Sequence, residues 1–105
     1  MTISLIEKRR ILEHVHLIAQ ELINKTRSRT ISIKLRTLLR YAYVSYRSKT
    51  TDLNVIRGLV PRIRLPSKFS NQYFYREIER SLRSRFNINI EVRRQLRYVT
   101  FYKSK

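Results

Sequence analysis

The chain has no cysteine, no tryptophan, one glycine and two prolines, and most of these absences remove a class of chemistry. Without cysteine there is no disulfide framework, no thiolate metal ligand and no cysteine nucleophile, and the redox compartment leaves no trace. A single glycine cannot build a Gly-rich phosphate-cradling loop, which disfavours nucleotide hydrolysis. No apolar run approaches the roughly 18 residues needed to cross a bilayer, so no membrane-spanning helix is expected. The opening "MTISLIEKRR" turns charged at Glu7, too early for a secretory apolar segment. The expectation is an intracellular chain that is not secreted, with cytoplasm, nucleus and organelle all open.

Acidic residues are the other scarcity. Against 24 Lys and Arg stand 7 Asp and Glu, a formal net charge of +17. Such a surface repels itself unless an anionic partner offsets it. Apolar residues still make up 42% of the 105, more than a disordered basic tail carries, so the chain is expected to fold. Its length suits one modest core, and residues 1–105 are read as a single basic nucleic-acid-binding domain. The stretch "KTRSRTISIKLRTLLRYAYVSYRSK", residues 25–49, holds eight lysines or arginines and no acid at all.

Periodicity supplies the elements. Residues 4–24 read as a helix opened by a Ser4/Glu7 capping box, with Ile11, Val15, Ile18 and Leu22 on its buried face. This is the least basic element and is expected to be scaffold or a homodimer surface. Residues 31–48 read as a second helix, with Thr30, Ile31 and Ile33 also compatible with a short strand before it. Leu35, Leu38, Leu39, Ala42 and Tyr46 share one arc of it, and Arg36, Arg40, Tyr43 and Arg47 the next. A short helix over 51–59 is opened by Thr50 or Thr51 and stopped near Gly58. "VPRIRLPSK" follows as an extended basic arm, because each proline disfavours helical geometry before it. Residues 70–86 form the fourth helix, capped by Ser67 or Ser70, with Phe74, Ile78, Leu82 and Phe86 inward. Its Arg76, Arg80 and Arg83 line another face, where Glu79 is placed to pair with Arg83 and Glu77 with Arg80. "INIEVRRQLRYVTFYK" favours two strands joined around Arg93–Gln95, without the Asn-Gly or Asp-Gly that marks a tight hairpin. The fold class is therefore α+β and mainly helical: about four helices and a C-terminal two-stranded β-ribbon, in winged-helix-like order.

The candidate binding residues follow from the charge. Arg27, Arg29, Lys34, Arg36, Arg40 and Arg47 are expected to meet phosphates, with Tyr43 as a stacking neighbour. Arg62, Arg64 and Lys68 form a second strip. In a winged arrangement Arg76, Arg80 and Arg83 would enter a groove, and Arg93, Arg94 and Arg97 would sit at the wing. An enzyme is disfavoured, since His14 and His16, two apart on a helix, point about 200° from each other and cannot share a metal or a reacting atom; they read as surface histidines. Glu77 and Glu79 diverge likewise. No catalytic residue, cofactor or metal is expected.

The sequence therefore supports a non-enzymatic nucleic-acid-binding protein, with RNA slightly ahead of DNA. It would serve as a ribonucleoprotein component or as a viral or mobile-element RNA-binding factor. Three alternatives remain: a winged-helix DNA-binding regulator, a small basic ribonuclease toxin, and a dimerising accessory protein that binds a host protein.

Overall fold

The computed structural model describes residues 4–103. Four helices and a three-stranded antiparallel sheet follow in the order α1 (Leu5–Lys25), β1 (Thr30–Lys34), α2 (Leu35–Ser48), α3 (Leu53–Leu59), α4 (Gln72–Arg85), β2 (Ile88–Arg93) and β3 (Leu96–Tyr102). A single 3₁₀ turn at Ser67–Phe69 precedes α4. The fold is mainly helical α+β, and the C-terminal strand pair gains a third member, the sheet order being β1-β3-β2.

That third strand corrects the expected start of the second helix. Residues 30–34 alternate outward and half-buried, so Ile31 and Ile33 turn one face to the core while their backbone pairs with Phe101 and Val99 of β3. Two β-branched residues on a half-buried pleat favour the strand over an extra helical turn. Helix α2 therefore begins at Leu35.

Caps fix the helix starts. Ser4 Oγ accepts from the Glu7 amide at 3.1 Å, as the capping pattern requires, but the Glu7 carboxylate leaves the box and takes Lys68 Nζ at 3.0 Å. Asp52 caps α3, accepting from the Asn54 amide, in place of Thr50 or Thr51. Asn71 caps α4, accepting from the Phe74 amide at 2.9 Å, in place of Ser67 or Ser70. In both cases an Asx side chain sits closer to the first turn than the expected hydroxyl. Helix α3 ends at Leu59, one residue past Gly58 as expected, but its C-cap is Val60 in right-handed geometry, so the glycine supplies no left-handed cap.

One apolar cluster draws on all four helices and β3. Helix α1 contributes Ile11, Val15, Ile18 and Leu22, all buried. Helix α2 is the hub: Ala42, Tyr43, Val44 and Ser45 are buried in succession, so neighbours cover it on every side at that level. Phe69 is fully buried, with its ring 5.6 Å from Tyr43 and 5.9 Å from Phe74. It pins the long connection between α3 and α4 to the core and so fixes where α4 can begin.

Candidate nucleic-acid interface

Helix α4 buries Phe74, Ile78 and Leu82. At 100° per residue, Gln72, Tyr73, Arg76, Arg80 and Arg83 fall within an arc of about 100° on the opposite side, and all five are exposed. The two carboxylates of the helix do not neutralise this face. Glu77 turns to Lys8 of α1 at 2.7 Å, and Glu79 to Arg97 of β3 at 2.8 Å. The expected Glu79–Arg83 and Glu77–Arg80 pairs are thus replaced by contacts to neighbouring elements. An exposed pair within one helix gains only a few tenths of a kcal/mol, whereas these two staple the helix to the body. Arg76, Arg80 and Arg83 make no ion pair among the described residues. Like charges at such spacing disfavour the helix by about 0.2–0.5 kcal/mol per pair, a cost that a bound polyanion would remove.

Beside this face lies a groove of about 770 Å³, walled by the start of α2, the start of α4 and the turn between β2 and β3. Lys34, Arg36, Arg40 and Arg97 all line it, and no carboxylate does. Arg40 also directs a guanidinium nitrogen to the Val60 carbonyl at 3.5 Å. The Arg97 partner Glu79 is only 14% exposed in its side chain, so it presents little negative charge to a ligand. Leu35, Thr37, Ser70, Tyr75, Gln95 and Leu96, none of them a binding candidate in the sequence, complete the walls. They come from segments far apart in the chain, and no local pattern announces them.

The β2–β3 turn is a two-residue hairpin, with Arg93 paired to Leu96 across it and both central residues, Arg94 and Gln95, at positive φ of 50° and 69°. This geometry normally selects Asn-Gly, because a Cβ at positive φ crowds the following carbonyl oxygen. Arg93 folds back instead, onto Glu91 at 2.6 Å and over the Tyr98 ring at 5.0 Å. Arg94 is left exposed at the tip.

The acid-free stretch does not form one stripe. Thr30 pairs with Tyr102 and Lys34 with Tyr98, so Arg27 and Arg29 stand at one end of the sheet, while Lys34 and Arg36 stand at the other, beside the groove. Arg47 is exposed at the far end of α2, about 16 Å along the axis from Arg36. Arg62 and Arg64 are exposed on the α3–α4 connection. Lys68, expected to join them, is held by Glu7 and lies over the Phe69 ring. Tyr43 is corrected outright as a surface side chain: it is 9% exposed and packed between Tyr46 and Phe69. The neighbours that enclose α2 all round capture it, which a single-helix projection cannot foresee.

The histidines are half-buried between helices rather than free on the surface. His14 Nδ1 meets Ser45 Oγ at 2.8 Å, and since that hydroxyl donates to the Thr50 carbonyl at 2.6 Å, the imidazole donates. His16 Nε2 meets Ser81 Oγ at 2.5 Å, and its ring stacks on Phe86. Burial lowers the pKa of both; the nearby Arg85 charge lowers His16 further, and Glu13 partly offsets the effect at His14. They serve two separate helix contacts, α1 to α2 and α1 to α4. Among the described residues no group of three His, Cys, Asp or Glu gathers as a metal site, and no helix is long and apolar enough to cross a membrane. No family model, no curated protein and no solved structure matches the chain.

Proposed function

We propose that this protein binds nucleic acid without catalysis, as a winged-helix-type module that prefers duplex DNA. The carrying observation is the arginine face of α4, turned away from the core and left without carboxylate partners while Glu77 and Glu79 anchor the helix behind it. The order α1-β1-α2-α3-α4-β2-β3 supports the reading, because it sets a basic helix directly before a ribbon. The α4 face would enter a major groove, which at about 12 Å wide admits a helix of about 10–12 Å. The turn at Arg94 and the groove bearing Lys34, Arg36 and Arg40 would follow the flanking phosphates.

The sequence ranks RNA first; the burial of the aromatics shifts the weight. Holding single strands takes exposed rings on which bases stack, and of seven tyrosines only Tyr73 and Tyr102 are exposed. A-form RNA has a major groove that side chains cannot read. Tyr73, 71% exposed beside Arg76, keeps a stacking role in structured RNA as the second reading.

Matched duplex DNA, single-stranded DNA and an RNA hairpin, titrated by fluorescence anisotropy at two salt concentrations, test the proposal. The tightest binding is expected for duplex DNA, weakening as salt rises. Tighter RNA binding would promote the second reading, and indifference to all three would remove both.

A further inference from the structure

Helix α1 has a second face that nothing in the described structure covers. Ile6, Arg10, Glu13 and Leu17 are all exposed, Ile6 at 70% and Leu17 at 47%. At 100° per residue they fall within about 60° of one another, on the side away from Ile11, Val15, Ile18 and Leu22. Arg10 and Glu13 make no ion pair among the described residues, although they lie three apart on the same face. Two shallow hollows flank the stripe. One is lined by Leu5, Ile6, Arg9, Arg10 and Glu13; the other includes Glu13, His16, Leu17 and Phe86.

The stripe is symmetric about its own centre. Ile6 and Leu17 are equidistant from the point between Ile11 and Leu12, as are Arg10 and Glu13, so the order apolar, basic, acidic, apolar is self-complementary under a two-fold axis. We infer that two copies of this chain pair through α1, antiparallel, with Ile6 of each against Leu17 of the other and Arg10 of each against Glu13 of the other. A two-fold contact uses the same patch twice and needs this self-complementarity. The parallel alternative sets Arg10 on Arg10 and Glu13 on Glu13, and like-charge juxtaposition disfavours it. Helix α1 is also a suitable place for two strongly basic chains to approach, because it carries Glu7, Glu13 and Glu21, three of the seven acids. The inference is independent of the nucleic-acid reading.

Sedimentation equilibrium of the full chain at about 0.3 M salt, where charge repulsion is screened beyond roughly 6 Å, tests it. The wild type is expected to show a concentration-dependent monomer–dimer equilibrium. R10E and E13R should each weaken it at least about tenfold, the scale set by replacing a charge pair with a like-charge contact, while R10E/E13R restores it. R10E lowers the net charge, so its weaker pairing would not come from general repulsion. All four residues are exposed, and thermal midpoints measured at concentrations where the wild type is monomeric should match it. A chain that stays monomeric to about 1 mM, or dimers that survive both single substitutions, overturns the inference. So does a monomer that floats with anionic vesicles and loses that flotation in I6S/L17S, which would give the stripe to a lipid surface instead.

Discussion

Glu79 on α4 meets Arg97 on β3 at 2.8 Å, and this contact ties the outward-facing helix to the ribbon beside it. Its counterpart, Glu77 to Lys8, ties the same helix to α1. Both carboxylates of α4 thereby hold the helix in place, and its arginines are left to solvent. E79Q should lower stability by about 1 kcal/mol, the upper range for a partly exposed pair, or roughly 4–8 °C in thermal midpoint for a domain of this size. It should also strengthen DNA binding, since Arg97 is released into the groove. Differential scanning fluorimetry and anisotropy read the two effects separately; an unchanged midpoint would mean that the pair does not anchor α4.

The β2–β3 turn separates strain from function. Arg94 and Gln95 both hold positive φ, at about 1–2 kcal/mol per residue without glycine. Q95G should therefore stabilise the fold by about 1 kcal/mol and, because it removes a groove-wall side chain but no charge, leave the salt dependence of binding unchanged. R94N should stabilise less and weaken DNA binding, because it removes the exposed guanidinium. Denaturant midpoints and binding isotherms check both, and equal affinity for R94N and the wild type would take the β2–β3 turn out of the proposed interface.

Acid should loosen the α1 contacts. Both histidines have folded pKa values below their ordinary 6.5, so the unfolded chain binds protons more readily. Their contribution is fully present above about pH 6.5 and is lost as pH falls from there through the depressed folded values. The thermal midpoint should drop between about pH 7.5 and pH 5, and H14Q/H16Q should flatten that drop. A double variant with the wild-type slope would assign the sensitivity elsewhere.

Tyr43 is a core residue by its packing on Phe69. Y43A should cost about 3–4 kcal/mol, as for a buried aromatic, whereas Y43F should change neither stability nor affinity by more than a few tenths of a kcal/mol. Y73A should do the reverse of Y43A, leaving the midpoint in place and altering nucleic-acid binding. Urea unfolding and anisotropy distinguish the two tyrosines.

Helix periodicity made α1, the body of α2 and the inward face of α4 legible in the sequence, because Ile11, Val15, Ile18 and Leu22, or Phe74, Ile78 and Leu82, need only the helical repeat to be recognised. Strand β1 was visible as an option in Thr30, Ile31 and Ile33, but choosing it required the partner β3, far down the chain. The arginine face of α4 was legible as positions; its lack of neutralisation was not, since the fate of Glu77 and Glu79 depends on Lys8 and Arg97. The groove was invisible for the same reason: Lys34, Ser70 and Gln95 have nothing in common until the chain brings them together. Tyr43 misled because one helix projected alone shows two sides, whereas α2 at that level is enclosed on all of them.

The most direct test of the central claim is the salt dependence of duplex DNA binding for the wild type and for R76Q/R80Q/R83Q. A log–log slope of about −5 to −7 is expected for the wild type and one shallower by about 2–3 for the triple variant, at roughly 0.9 for each phosphate no longer neutralised, with a thermal midpoint that is not lowered and rises by up to a few degrees as the arginine repulsion is relieved. Identical slopes for the two proteins, or a wild-type affinity indifferent to salt, would contradict it.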